Sequence, residues 1–303
     1  MSSAVETESD AMQRCASCGN TGGDDIKLKK CTACYLVKYC SVKCQKDHRS
    51  KHKKACKKRA AELHDELLFK QPESSYLGDC PICCLPLPLD PEKYCLNACC
   101  CKEICQGCNF ANQKREFEEG MLQHTCPFCR KAVPDTDDEI YELLMKRVEV
   151  NDPVAMCHVG NEKYDKGDYK SAFDYWAKAA ALGDAFAHYQ LSIMYRDGLG
   201  VEKDEKKELH HLEQAAIGGH PQARHNLGSF EGIKGRLDRA VKHYIIAAKL
   251  GVDDSLEVAK SLYKNGDASR DDFAAALRGY QTAIEAAKSP QREEATKFYY
   301  NNV

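Results

Sequence analysis

The second half of the chain sets apolar against polar positions with a helical period. Tyr169, Ala172, Phe173, Trp176 and Ala179 recur at spacings of three and four, which predicts one apolar stripe on a helix. The pattern then repeats. SAFDYWAKAAALGD from Ser171, KELHHLEQAAIGGH from Lys207 and RAVKHYIIAAKLGVD from Arg239 are copies of one another, and FAAALRGYQTAIEAAKS from Phe273 is a looser one. Their alanine pairs, Ala179-Ala180, Ala215-Ala216 and Ala247-Ala248, lie 36 and 32 residues apart. Between the copies sit Ala187-His-Tyr-Gln-Leu191 and Ala223-Arg-His-Asn-Leu227, so each unit is expected to be a helical hairpin. Gly183, Gly218, Gly219 and Gly251 are placed to end helices. A period in this range predicts a solenoid over 153–290.

The first half lacks this rhythm. Residues 1–14 show no periodicity and are expected to be a disordered tail, and 291–303 are read as a C-terminal tail. Within 57–79, Ala61, Leu63, Leu67 and Leu68 predict a helical linker that Pro72 stops. Thr136 with Glu139 has the spacing of a capping box, opening a connector helix in 134–152 through Ile140, Leu143, Leu144, Met145 and Val148.

Composition changes the picture in one respect. The 303 residues carry 44 basic and 46 acidic side chains, a formal charge of −2, which excludes a uniformly basic nucleic-acid binder. No apolar stretch approaches the ~18–20 residues of a transmembrane helix, and Met1–Arg14 lacks the apolar core of a secretory signal. The departure is 19 cysteines, of which eighteen lie between Cys15 and Cys129 and only Cys157 beyond. In a reducing cytosolic or nuclear setting such density points to metal rather than disulfides.

The first cluster reads Cys15-x2-Cys18, Cys31-x2-Cys34, Cys40-x3-Cys44 and His52-x3-Cys56. Zinc takes four N/S ligands in a tetrahedron, and a short pair on a turn supplies two, so four pairs make two closed sites. The run from Cys31 through Tyr39-Cys40 and Cys44-Gln45 to His52 and Cys56 resembles a MYND finger over 15–56. The resemblance implies that pairs interleave, with Cys15, Cys18, Cys40 and Cys44 around one zinc and Cys31, Cys34, His52 and Cys56 around the other. It also implies binding of proline-rich partners. Arg49 stands near a position where the family often has Trp, and His48 is a reserve ligand. Lys43 to Arg59 holds nine Lys/Arg and one Asp. Without interleaved aromatics this reads as a solvated helix face rather than a nucleic-acid site.

The second cluster reads Cys80-Pro-Ile82-Cys83, Cys99-Cys100-Cys101, Cys105-Gln-Gly-Cys108 and Cys126-Pro127-Phe128-Cys129-Arg130. It resembles a RING finger of all-cysteine type over 80–133. The place of the usual histidine, three residues before Cys105, holds Lys102, and Cys100 sits where the all-cysteine variant puts its ligand. The resemblance implies one zinc on Cys80, Cys83, Cys105 and Cys108. The other would sit on Cys99, Cys100, Cys126 and Cys129, with Cys101 the alternative to Cys99 and His124 in reserve. Cys84, Cys95 and the remaining Cys101 are spare thiols. RING ligases bind the ubiquitin-conjugating enzyme through positions matched here by Ile82, Pro127 and Arg130, and contribute no nucleophile. Arg130 would bias the thioester toward a near-attack geometry.

The repeats resemble Sel-one-like repeats, cousins of tetratricopeptide repeats, best in Leu191-Ser-Ile-Met-Tyr195-Arg-Asp-Gly198-Leu-Gly200. That implies a scaffold for proteins or peptides. No phosphate-binding loop, dinucleotide fingerprint or nucleophile elbow is present, nor the Asn-His-x-Cys signature of SET methyltransferases. The expected architecture is two small zinc-stabilised α+β cross-brace fingers followed by an all-α repeat solenoid, with about four zincs per chain. The functional readings are an adaptor whose RING recruits a ubiquitin-conjugating enzyme, a non-enzymatic scaffold, and a transcriptional cofactor. Four loaded sites, three with four thiolates and one with three, would take the formal charge from −2 to about −9.

Overall fold

The chain divides into two units, Met1–Lys70 and Gln71–Val303, and the described part of the first holds a short hairpin and one long helix. The computed structural model describes residues 14–22, 26–121 and 123–300. The N-terminal stretch read as disordered therefore lies, except for Arg14, outside the described residues, as do the last three residues of the C-terminal stretch. In the first unit β1 (Lys29–Lys30) pairs antiparallel with β2 (Lys38–Tyr39), with Lys29 opposite Tyr39. The helix α1 then runs without a break over Val42–Leu68, its N-terminus capped by Ser41 Oγ, which accepts from the Cys44 N–H at 3.2 Å. The finger helix and the helical part of the 57–79 linker are thus one element. Nothing between them could separate them: the stretch holds no Gly or Pro and is rich in Lys, Ala, Glu and Leu. Arg59 adds side-chain pairs to Glu62 (3.3 Å) and Glu66 (2.8 Å).

The second unit begins with an extended segment laid against the solenoid. The Tyr76 N–H donates to the Gly219 carbonyl at 3.1 Å, and the Tyr76 ring stacks on His220 at 4.5 Å. Burial pushes His220 down to about 3, which keeps its ring neutral; its Nδ1 accepts from the Ala223 N–H at 3.3 Å and so caps a helix. A second hairpin follows, β3 (Tyr94–Asn97) against β4 (Lys102–Cys105), and then helix α2 (Gln106–Glu118). Helix α3 (Asp137–Glu149) starts at Thr136, whose Oγ1 accepts from the Glu139 N–H at 3.2 Å. The predicted capping box is only half made, because the Glu139 carboxylate takes the Asp135 N–H (3.1 Å) instead. Through Leu144, α3 joins Ala98 and Cys101 of the finger to Ala155 and Val159 of the solenoid in one apolar cluster.

Helices α4 (Pro153–Asp165), α5 (Tyr169–Ala181), α6 (Ala185–Asp197), α7 (Glu205–Ile217), α8 (Pro221–Ile233), α9 (Leu237–Lys249), α10 (Asp253–Asn265) and α11 (Arg270–Ala286) form the solenoid, packing as successive hairpins. The alanine pairs that set the period are all buried, as is Trp176 at the centre of the stripe. Gly183, Gly219 and Gly251 occupy equivalent turns with positive φ, where a side chain would be strained. The stretch from residue 291 to 300, read from sequence as part of a tail, joins Pro290 in a further helix, α12 (Pro290–Tyr300). It leaves the stack and packs on α2 of the second finger. Among the described residues no helix is long and apolar enough to cross a membrane.

Close approach between helices depends on glycine at Gly228, where an added Cβ would meet the Tyr244 ring at 2.8 Å. Gly232, on the same helix, has no atom within 4 Å of that position. Gly228→Ala is expected to cost about 1–3 kcal/mol by overpacking. Gly232→Ala is expected to gain up to about 1 kcal/mol through lower unfolded-chain entropy and higher helix propensity. The urea midpoints of the two variants would move in opposite directions; movement in the same direction contradicts this account.

Candidate metal centres

Four groups of side chains converge, each with every ligand atom within 4.8 Å of the others: Cys15, Cys18, Cys40 and Cys44; Cys31, Cys34, His52 and Cys56; Cys80, Cys83, Cys105 and Cys108; Cys99, Cys100, Cys126 and Cys129. In both fingers the first pair along the chain joins the third, and the second joins the fourth. Zinc with bonds of about 2.3 Å to sulfur makes a tetrahedron whose S···S edges are about 3.8 Å. Observed edges are 3.6 Å for Cys18–Cys40 and Cys40–Cys44, 3.8 Å for Cys31–Cys56, Cys83–Cys105 and Cys100–Cys126, and 3.3 Å for Cys99–Cys129. His52 Nε2 stands 3.2 Å from Cys34 Sγ. The donor sets therefore fit tetrahedral zinc.

Electrostatics make the same point. In the third group the hydrogen bond shared with Cys105, working against desolvation, draws Cys80 down to about 4; the same bond drives Cys105 far up. In the second group, burial and then the bonds to Cys31 and Cys34 push Cys56 up to about 12. Four thiols crowded together cannot all ionise unless a cation joins them, and zinc requires all of them ionised.

The backbone prepares four of the cysteine pairs in one recurring turn. The N–H four residues after the first cysteine donates to its carbonyl at 2.9 Å in Gly19→Cys15, Tyr35→Cys31, Cys84→Cys80 and Arg130→Cys126. In every case the donor residue has positive φ, +77°, +56°, +54° and +64° respectively. A fifth turn of this kind starts on Asn97: Cys101 N–H donates to the Asn97 carbonyl at 2.8 Å, and Cys101 has φ +52°. Asn97 thus stands where the first cysteine would be. Cys100 keeps the second ligand place, and Cys99 inside the turn supplies the other sulfur. Cys84 and Cys101 both occupy the left-handed position that closes a turn, which removes them from the metal. This is why three consecutive cysteines were ambiguous in sequence.

The turn carrying Cys99 and Cys100 lies between β3 and β4, and Cys105 ends β4. The four-residue strands, rising about 3.3 Å per residue, separate the ligands in the turn from Cys105 at the strand end. Cys105 also caps α2, its Sγ accepting from the Cys108 N–H at 3.5 Å. The last pair is aimed by a residue that sequence reasoning missed, Glu116 on α2. Fully buried, it accepts from the Thr125 N–H at 3.1 Å, pairs with Thr125 Oγ1, and faces His124 Nδ1 at 3.0 Å. Burial alone would raise its carboxyl, but these bonds hold it below the usual range. His124 is thus engaged with Glu116 and joins no metal group, and His48 likewise stands against the Tyr39 hydroxyl (3.1 Å). Asn112, one turn before Glu116, donates to the Thr125 carbonyl at 3.0 Å; the Asn-x3-Glu spacing was the available signal. Ile82, Phe128 and Arg130 are exposed and Pro127 half-buried. Lys102, in the usual histidine place, is exposed with its Nζ 6.0 Å from the centre of the Phe128 ring. Cys95 is half-buried against the Ile104 carbonyl, and Cys157 is buried with Sγ 3.3 Å from Asp184 Oδ1.

Residues 15–56 match the family model of the MYND finger, and 153–184, 185–220 and 221–252 each match that of the Sel1 repeat. The chain carries a MYND finger and Sel1 repeats. Both are protein-interaction modules, and the MYND finger binds zinc. The DAP3-binding cell death enhancer 1 of Mus musculus is 24% identical over 203 residues, 54% of this chain and 39% of that protein, so the chain spans about two fifths of that relative's length. A Sel1 repeat protein from Oxalobacter formigenes is 24% identical, covering 59% of this chain and 72% of its own, with a TM-score of 0.44. A protective antigen of uropathogenic Escherichia coli displaying an SLR fold is 26% identical, covering 54% and 37%, with a TM-score of 0.40. The α10–α11 hairpin extends the stack past the last matched Sel1 repeat, packing on α9.

Native mass spectrometry of the zinc-loaded chain is expected to find about four zincs. Cys99→Ser should lose one, while Cys84→Gly, which places glycine at a positive-φ position, should keep all four. Loss of a zinc on Cys84→Gly, or none on Cys99→Ser, would overturn the assignment drawn from the turns.

Proposed function

We propose that this chain is a protein-interaction adaptor of the cytoplasm or nucleus, built on four structural zincs, in which the MYND finger and the Sel1 repeats select partners and the second finger recruits a ubiquitin-conjugating enzyme. The observation that carries the adaptor reading is the closure of the metal groups. Each offers four protein ligands and leaves no coordination position for water or substrate, so the metals shape binding surfaces rather than perform chemistry. Cysteines gathered as metal ligands or left as spare thiols, rather than paired in disulfides, suit a reducing compartment. MYND fingers take proline-rich peptides, and the exposed Tyr35, Leu36 and Val42 of this one are available to such a ligand.

The recruitment reading is supported by a second finger with RING-type interleaving and by the exposure of Ile82, Phe128 and Arg130. Ile82 would give apolar contact beside the first turn. Arg130, held outward by the left-handed turn after Cys129, would donate hydrogen bonds to the conjugating enzyme and ubiquitin together. The gain would be positional, restricting a flexible thioester to reactive geometries. The alternative is a scaffold whose second finger is purely structural.

Discharge of ubiquitin from a panel of loaded conjugating enzymes decides between them. The recruitment reading expects at least one enzyme to discharge faster with the full chain, and Ile82→Ala or Arg130→Ala to slow that discharge by roughly tenfold or more. Acceleration by no enzyme in the panel, or acceleration indifferent to both substitutions, leaves the scaffold. The adaptor reading is tested separately by fluorescence anisotropy: capture of proline-rich peptides should vanish on chelation and on Cys34→Ser.

A further inference from the structure

Helix α12 returns from the far end of the solenoid to the second finger, and one side chain on it reaches a metal ligand. Ser289 caps the helix, its Oγ accepting from the Arg292 N–H at 3.2 Å, and Pro290 opens it. That places Arg292 in the first turn, where its guanidinium enters the loop around the first cysteine pair. Nη2 lies 3.4 Å from Cys83 Sγ and donates to the Leu85 carbonyl at 3.2 Å; Nη1 donates to the carbonyls of Pro86 and Ala287, both at 2.7 Å. A basic residue in the first turn of a helix is unfavourable toward the macrodipole, so local structure does not explain it. The finger does.

A second observation is independent of the arginine's reach. An added Cβ at Gly107, inside the Cys105-Gln-Gly-Cys108 pair, would stand 2.9–3.0 Å from the Cγ, Cα and N atoms of Arg292. The metal-binding pair itself thus leaves room for the α12 backbone. Farther along, Lys114 pairs with Glu294 at 2.9 Å, Phe110 packs on Phe298 at 4.8 Å, and the Tyr299 hydroxyl donates to Gln113 Oε1 at 3.0 Å.

We propose that Arg292 is a positioning residue for the zinc held by Cys80, Cys83, Cys105 and Cys108, and that this site is the clasp fastening the end of the solenoid to the finger. A zinc with four thiolates carries two net negative charges, here in a buried place. The planar fork donates to one thiolate and to the carbonyls of the loop that carries it, so it offsets charge and fixes ligand orientation together. Loading that zinc and docking α12 are then one linked equilibrium. Metal favours the docked helix, and the docked helix retains the metal.

The test uses the full-length zinc-loaded chain and follows zinc transfer to a chromogenic chelator, with alkylation of freed thiols read by mass spectrometry. In Arg292→Met, one of about four equivalents is expected to leave roughly ten- to a hundredfold faster than in the parent, with Cys80, Cys83, Cys105 and Cys108 labelled first. Arg292→Lys, which keeps the charge but loses the fork, should fall between. Phe298→Ala, which loosens the outer end of α12 and leaves the arginine in place, should speed release less than Arg292→Met does. Gly107→Ala should mimic Arg292→Met and raise hydrogen exchange over 290–300. If Arg292→Met does not fold, Arg292→Lys against the parent decides by the same readout. Unchanged release in the arginine variants, or release from Phe298→Ala as fast as from Arg292→Met, overturns the proposal. Fewer than four zincs in the parent, with these four thiols open to alkylation, would overturn it together with the metal assignment of that site. Four zincs with uniform release overturns the role of Arg292 alone.

Discussion

Four thiolates brought within bonding distance of one point repel one another by more than either finger's apolar core could offset. Everything else in the fingers follows from the need for a cation there. The core of the second finger consists of Cys80, Cys105 and Cys108 with Leu87 and Ile104, so the ligands themselves are its most buried residues. The core of the MYND finger is likewise Cys15, Cys31 and Cys34 around Tyr39. Modules this small do not fold on apolar burial alone. Zinc binding supplies on the order of 10–16 kcal/mol per structural site at neutral pH, which is folding free energy because no preformed site exists in the unfolded chain.

Interleaving determines how that energy is distributed. When the first pair shares a metal with the third and the second with the fourth, neither site is local. Each loop closed by one metal contains a pair that belongs to the other, so ordering one site reduces the chain entropy still to be lost at its neighbour. The β3–β4 hairpin is the physical link, with ligands in its turn and at its end. The Sel1 repeats obey the opposite logic. Their contacts run between neighbouring helices, alanine against alanine and Gly228 against Tyr244, so stability there accumulates repeat by repeat. One chain therefore joins a metal-dependent, non-local part to a metal-independent, local one.

Ligand spacing and repeat period were legible because each is a short-range property written directly in residue types. The alanine pairs announced the close packing of helices, and the four pairs of each finger announced two tetrahedra. What was not legible depends on the backbone or on distant chain. Cys99, Cys100 and Cys101 are chemically equal in sequence; only the turn starting on Asn97 separates ligands from spare. The continuity of α1 was obscured by reading the finger's end as a boundary, although nothing in its composition breaks a helix. The segment 290–300 shows no helical stripe because α12 hides little of itself: among its described side chains Ala295 is the fully buried one. What fastens it to the finger is an arginine whose partners there, Cys83, Leu85 and Pro86, lie more than two hundred residues earlier. A residue whose main partners are non-local leaves no periodic trace.

The return of α12 changes what the Sel1 repeats can be. A free solenoid flexes, and a partner binding across it must restrain that flexing. Here the first repeat is joined through α3 to Ala98 and Cys101, and the last hairpin leads by Ser289 to Arg292 and the turn around Cys83. Both ends of the stack are therefore referred to one small rigid body, with Tyr76 stacked on His220 between them. Restraining the stack before a partner arrives removes part of the entropy that binding would otherwise cost. On the clasp proposed for Arg292, the metal content of the finger would bear on how firmly the end of the stack is held. Zinc at Cys80, Cys83, Cys105 and Cys108 would then act on a surface it does not touch, because the element it would order is the one that returns from the far end of the stack.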